Sequence, residues 1–218
     1  MPFGSDFMIY CNPFPIVERH LTIVHQQHIP QRIANQVGNL LDIAQALPGY
    51  FVIYNGPECG ASAPDHLHFQ AGTRQLFPIE RETAGVTGMT VRNYARSVML
   101  FHGNHRAALI DRIDRAIELL AEITGKSPEP LINLAAFCEE NQWTVYLSPR
   151  QKHRPDVYHR GELTVSPASI DLCGIFVVPI AEDFEKITGD TIAAIYREVT
   201  LPEDRVAEIA AKMDAGSV

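Results

Sequence analysis

The sequence predicts an α+β fold with a largely antiparallel sheet and flanking helices. Three observations carry this. Strand-like and helix-like stretches mix without a strict βαβ alternation, one pair of strand-like runs is separated only by turn residues, and no internal repeat or low-complexity segment interrupts the chain.

Phe7 to Cys11 is an apolar run closed by Asn12-Pro13-Phe14-Pro15, and Leu21 to Val24 is a second β-rich run. Two short strands around a proline-rich turn follow from that. Between Pro30 and Leu47 the period changes: Ile33, Val37, Leu40, Leu41, Ala44 and Leu47 share one helical face, with Pro30 near the first turn and Pro48-Gly49 as the stop. Phe51 to Asn55 reads as a buried strand, Gly56 to Pro64 as a loop with two glycines and two prolines, and His66 to Ala71 as a short strand.

Val98 to Phe101 is a further expected strand, and His105 to Ile123 has the spacing of a helix that Gly125 closes. Thr124 to Pro130 is the expected internal boundary. Beyond it, Leu131 to Cys138 and Trp143 to Leu147 flank Glu139 to Gln142 as a hairpin, and Ile170 to Val178 reads as a strand ended by Pro179. Glu182 to Met213 is expected to be helical in two or three pieces. His102 and His105 flank Gly103-Asn104, where Asn104 is the expected helix cap.

The 218 residues carry 18 Lys+Arg against 26 Asp+Glu, a formal charge of −8, and 46% of them are hydrophobic. A chain of that length buries roughly 70% of its unfolded surface and needs no disulfide or metal staple. The acidic balance argues against a nucleic-acid-binding surface, so phosphate chemistry would have to be local. No apolar run reaches the ~18 residues of a membrane span, and Met1 to Tyr10 has no basic start, so a cytoplasmic protein is expected. Cys11, Cys59, Cys138 and Cys173 include no C-x-x-C pair and read as reduced, mostly buried thiols.

The chemistry concentrates in Asp65-His66-Leu67-His68-Phe69-Gln70. Side chains alternate along a strand, so His66, His68 and Gln70 project together while Leu67 and Phe69 pack behind. Aligned imidazoles beside a glycine-rich loop are costly to bury without a use. A neutral imidazole, with an ordinary pKa of about 6.5, is a good nucleophile toward phosphorus near pH 7. The competing reading is a metal-dependent enzyme holding its ion with the His66/His68 pair. Gly60, His66 and His68 match the opening of the cupin motif G-x5-H-x-H, but Gly72 and Thr73 stand where that motif needs Glu.

His20-Leu21-Thr22-Ile23-Val24, Asn55-Gly56-Pro57 and Gly60-Ala61-Ser62-Ala63-Pro64-Asp65-His66-Leu67-His68-Phe69-Gln70 together resemble the histidine triad (HIT-like) superfamily. The likeness is to its transferase branch, where H-x-H-x-Q replaces H-x-H-x-H. That branch includes galactose-1-phosphate uridylyltransferase, diadenosine tetraphosphate phosphorylase and GDP-hexose phosphorylases. The resemblance is specific over residues 51 to 72 and extends weakly through Ser148-Pro149-Arg150 and Ile170 to Val178.

The resemblance implies a HIT-like catalytic half over residues 1–125 and a second α+β half, 126–218, packed on the same core. It implies His68 as a nucleophile that becomes nucleotidylated, Gln70 as a donor to phosphoryl oxygens and His66 as a supporting residue. By the same token Ser62 and Asn55 contact phosphate or help the leaving group, beside the Gly60 loop, and Asn12 lies where relatives hold the nucleoside. Two departures stand out: one extra residue between Ser62 and His66, and no C-x-x-C pair of the kind that binds structural zinc in some uridylyltransferases. Arg150, Lys152, Arg154 and Arg160 put four of the 18 cations into 11 residues and are candidate phosphate contacts.

The expected function is therefore transfer of a nucleoside monophosphate between a nucleotide conjugate (a dinucleoside polyphosphate or nucleotide-sugar) and phosphate or a sugar phosphate. No cofactor, metal, nucleic acid or membrane partner is expected, and a homodimer fits a short member. Besides the metal-dependent reading, the other alternative is a non-catalytic nucleotide-binding protein.

Overall fold

The structure is a computed structural model and describes residues 1–74, 77–91 and 94–215. In chain order it holds β1 (Pro2–Phe3), β2 (Phe7–Cys11), β3 (Leu21–His25), α1 (Val37–Ala46), β4 (Tyr50–Asn55), β5 (His68–Thr73), α2 (Pro78–Glu82) and β6 (Met99–Gly103). Then come α3 (Arg106–Thr124), β7 (Ile132–Glu139), β8 (Gln142–Pro149), α4 (Asp156–His159), α5 (Ser169–Leu172), α6 (Ala181–Phe184), α7 (Gly189–Val199) and α8 (Glu203–Ala215).

The strands form one sheet in the order β1-β2-β3-β5-β4-β7-β8-β6, antiparallel at each pairing. The sheet runs without a break across residue 125, because β4 pairs with β7.

Both faces of the central strands are covered, which is why their sequences read as apolar runs and not as alternating ones. One face packs Val52, Tyr54, Phe69, Ala71, Leu134, Ala136, Val145 and Leu147 against Val37, Leu40 and Leu41 of α1 and Leu109, Ile113 and Ala116 of α3. Trp143 fastens that layer by donating its indole N–H to the Leu41 carbonyl at 2.9 Å. The other face packs Phe51, Ile53, Ala135 and Tyr146 under Phe77, Ile79, Ile170 and Cys173.

Three sequence expectations need correction. The first helix begins at Val37 and not near Pro30, because Asn35 sits at φ +62°, a left-handed conformation that a continuous right-handed helix cannot contain, while Ile33 N–H is satisfied from outside by Glu129 Oε2 at 2.6 Å. Ile170 to Val178 is not a strand. It starts in the short α5 and continues as irregular chain laid over the sheet face, held by the Asp171 carboxylate, which accepts from Ala168 N–H and Val177 N–H, both at 2.8 Å. The long helix α3 is capped by His105 Nδ1, which accepts from Ala108 N–H, and not by Asn104. The tail is helical in three pieces, α6 to α8.

Candidate active site

Strand alternation gathers polar side chains on the second face of the sheet. Phe69 and Ala71 point into the first core, so His68 and Gln70 of β5 face the other way, as do Asn55 of β4 and Asn133 of β7. Gln70 lies beside Thr22 on one neighbouring strand, and Asn55 lies beside Asn133.

His68 is 5% exposed and its backbone is gripped by Gln31. The Gln31 Oε1 accepts from His68 N–H at 2.7 Å, while its Nε2 donates to His68 O at 3.0 Å and Asn55 O at 2.9 Å. One carboxamide thus continues the β4–β5 ladder past its last paired residues, Ile53 and Gln70.

The ring of His68 has a defined tautomer. Its Nδ1 lies 2.9 Å from the His66 carbonyl, which can only accept, so Nδ1 carries the proton. Nε2 therefore holds a lone pair, and among the described residues it has no partner and no solvent contact. Burial pushes the His68 pKa below the ordinary imidazole value, opposed by the His66 carbonyl and reinforced by the nearby His66 ring.

His66 does not share the strand face with His68 and Gln70 as expected: β5 begins only at His68, and His66 is half-buried in the bend before it, where it donates Nε2–H to His25 O at 2.7 Å. Its ring lies against His28 with centroids 4.6 Å apart and the planes tilted by 34°. Each ring of the His66/His68 pair thus holds one nitrogen on a backbone carbonyl. Among the described residues, no group of three or more His, Cys, Asp or Glu side chains is arranged to hold a metal ion.

Gln70 is oriented by a residue that sequence reasoning left out of the site. His20, 5% exposed, has Nδ1 3.2 Å from Ile16 N–H and Nε2 2.7 Å from Gln70 Oε1. Asn12 anchors nearby, donating Nδ2 to Thr22 Oγ1 at 3.1 Å and accepting Phe14 N–H at 2.8 Å. The signal for His20 was its place one residue before a β-run whose Ile23 faces the core.

Asn55 is fixed by obligate donors. Ser169 N–H donates to its Oδ1 at 2.9 Å, and so does Asn133 Nδ2 at 2.8 Å. Asn133 is itself locked by Arg150, whose guanidinium can only donate, at 2.7 Å to Asn133 Oδ1. The Asn55 Nδ2 hydrogens are what remains for the cavity.

A cavity of about 320 Å³ brings together Asn12, Asn55, Gly60, Ser62 and Gln70 of the expected residues, with His20 and Asp171 added. Burial pushes the Asp171 pKa up to about 6. Gly60 has φ +94°, and a side chain there would put its Cβ 2.5 Å from Ala168 Cβ on the opposite wall. His68 precedes Gln70 on the same strand face but is not among the residues that line the cavity.

The basic cluster contributes differently from the expectation. Arg150 is 1% exposed and its N–H groups go to Val199 O, Asn133 Oδ1, Pro167 O, Lys152 O and His153 O, which leaves no hydrogen for a phosphate. Lys152 is ion-paired with Asp156 and Glu198 outside the cavity. Arg160 pairs with Glu162. Arg154 is linked to the cavity through Ser166, whose Oγ accepts its Nε–H at 3.0 Å.

The family described as GDPGP1-like, C-terminal domain, matches residues 70–214. The chain belongs to this family. A domain of unknown function, DUF4922, matches residues 1–73 of the same GDPGP1-like chain. The two matches meet inside β5, so the cavity takes Asn12, His20, Asn55 and Ser62 from the first and Asp171 from the second, with Gln70 in both.

Among curated relatives, galactose-1-phosphate uridylyltransferase of Streptococcus mutans is 27% identical over 177 residues, 68% of this chain and 35% of the relative. The enzyme of that name from Ligilactobacillus salivarius is 32% identical over 146 residues, 62% of this chain and 29% of the relative. The GDPGP1-like chain thus spans about a third of the length of these relatives. Yeast Ap4A phosphorylase Apa2 in complex with AMP has the same fold, with a TM-score of 0.67 at 18% identity over 91% of this chain and 75% of that one. Its complex with Ap4A gives 0.63 at 18% identity over the same shares of the two chains. The fold is HIT-like, an antiparallel sheet with flanking helices.

Proposed function

We propose that this chain transfers a nucleoside monophosphate between a nucleotide conjugate and phosphate or a sugar phosphate, by double displacement at His68. The observation that carries the reading is the tautomer of His68: Nδ1–H is held on the His66 carbonyl and Nε2 keeps its lone pair. The names of the uridylyltransferase relatives and of the Ap4A phosphorylase support it, as both describe transfer at a nucleotide phosphate.

In the first step the Nε2 lone pair attacks the α-phosphorus and forms a P–N bond. The P–O bond to the leaving group breaks, and its oxygen leaves with the electron pair and later takes a proton from solvent. In the second step an oxygen of phosphate or of the sugar phosphate attacks the same phosphorus, the P–N bond breaks, and Nε2 regains its lone pair. The amide N–H groups of Gln70 and Asn55 stabilise the negative charge that grows on the phosphoryl oxygens, Ser62 and the Gly60 loop assist the leaving group, and Asn12 holds the nucleoside side. Catalysis is positioning and hydrogen bonding, with Arg154 acting through Ser166.

The test is an intact-mass spectrum after brief incubation with dinucleoside polyphosphates and ADP-, GDP- and UDP-sugars, with His68→Ala in parallel. A gain of one nucleoside monophosphate, acid-labile and missing in the variant, is expected and identifies the base. The closed position of Nε2 favours one alternative, nucleotide binding without turnover; ligand-induced thermal stabilisation with no adduct would support it.

A further inference from the structure

We propose that His20 is a positioning residue that decides which end of the Gln70 carboxamide faces the phosphoryl group. The inference rests on the reading of Gln70 as a phosphoryl-oxygen donor given above.

A carboxamide can present either an oxygen or an N–H₂ to a ligand, and the two ends differ little in shape. Only the N–H₂ end helps an anionic phosphoryl group. The choice is made two bonds away. Ile16 N–H is a backbone donor 3.2 Å from His20 Nδ1, so Nδ1 must be the unprotonated, accepting nitrogen. The proton of the neutral ring is then on Nε2, which lies 2.7 Å from Gln70 Oε1. That oxygen accepts it, and the Gln70 Nε2 hydrogens are turned to the cavity that both residues line.

Burial favours this neutral ring, because it lowers the His20 pKa against the Gln70 bond. Asn12 Nδ2 approaches His20 Nε2 to 3.4 Å, but in this tautomer both atoms carry hydrogen, and the Asn12 bond is the one to Thr22. No donor other than His20 bonds Gln70 Oε1 among the described residues, in contrast to Asn55, which has two donors on its oxygen.

A double-mutant cycle tests this, read as the single-turnover rate of His68 nucleotidylation. His20→Leu keeps bulk and removes the donor; the expected loss is about tenfold in kcat with KM little changed, since an unguided amide is wrong only part of the time. His20→Gln can place an N–H₂ near the Nε2 position and is expected to restore most of the rate. In a Gln70→Ala background, His20→Leu is expected to cost nothing more. A purely structural His20 would give equal losses in both backgrounds, and that additivity overturns the proposal while leaving the function reading intact. If the wild-type protein forms no adduct, the function reading falls, and the cycle is run instead on AMP, GMP and UMP affinity. Imidazole ¹⁵N shifts give a readout free of activity: protonated Nε2 is expected, and a protonated Nδ1 in the folded protein overturns the proposal.

Discussion

Asn133 Nδ2 donates to Asn55 Oδ1 at 2.8 Å across the β4–β7 ladder, and Asn133 Oδ1 accepts from Arg150 at 2.7 Å. A buried cation with no open N–H therefore sets the direction of an amide that faces the cavity. Asn133→Asp keeps the Arg150 contact but puts an oxygen against Asn55 Oδ1 and Cys59 O. The expected cost is roughly 1–3 kcal/mol of stability and at least a tenfold loss in nucleotidylation rate. Denaturant unfolding and adduct kinetics measure the two, and an unchanged rate would show that Ser169 alone suffices to orient Asn55.

His68 should remain a competent nucleophile below the usual imidazole pKa, because burial holds its proton affinity down. The nucleotidylation rate is expected to begin its fall at lower pH than an imidazole of ordinary pKa would give. Linkage gives the matching stability effect. Below about pH 6.5 the unfolded imidazole binds a proton that the folded one resists, so stability falls as pH falls. His68→Ala should show a shallower decline between pH 7 and 5. A slope identical to the wild type would assign the effect to other groups.

Gly60→Ala forces a side chain onto φ +94° and onto Ala168. The backbone term alone is about 1–3 kcal/mol. The expected result is a lower melting temperature together with lost nucleotide affinity, since the two walls of the cavity must separate. Unchanged calorimetry would mean that the loop has room to adjust.

Asp171 binds its proton more tightly in the fold than in the unfolded chain, with a pKa of about 6. Its stability contribution is therefore full below the ordinary Asp pKa, near 4, and is lost as pH rises through about 6. Protonation removes charge from the acceptor shared by Ala168 and Val177. Amide shifts of those two residues should titrate together with a midpoint near 6; a midpoint near 4 would indicate that the carboxylate is better solvated than its burial implies.

The parts of the fold that depend on local period were legible. The β7–β8 hairpin, the strand at Phe51 to Asn55 and the helix after His105 each carry their pattern within a few residues. So was the alternation that places His68 and Gln70 on one face. What could not be read was pairing at a distance. Ile170 to Val178 has strand-like composition, yet Asp171 in its middle takes two backbone N–H groups and bends the chain over the sheet; a lone acid inside an apolar run was the clue. Gln31 belongs to no motif, yet it serves as the rung between Asn55 and His68. Arg150 drew notice for its charge, whereas its role is set by oxygens from Asn133 to Val199 that no motif names.

The strand order has a consequence for synthesis on the ribosome. The partners that β5 needs, β3 and β4, both precede it in the chain, but the partner of the outer edge of β4 is Ile132–Glu139, which emerges later. A nascent chain stopped after residue 125 would expose that apolar edge, an invitation to pair with another copy, and its cavity would lack Asp171 and the Arg150–Asn133 lock. Fragments divided near that point should be insoluble when made alone and recover when made together, since the missing strand is also the cover.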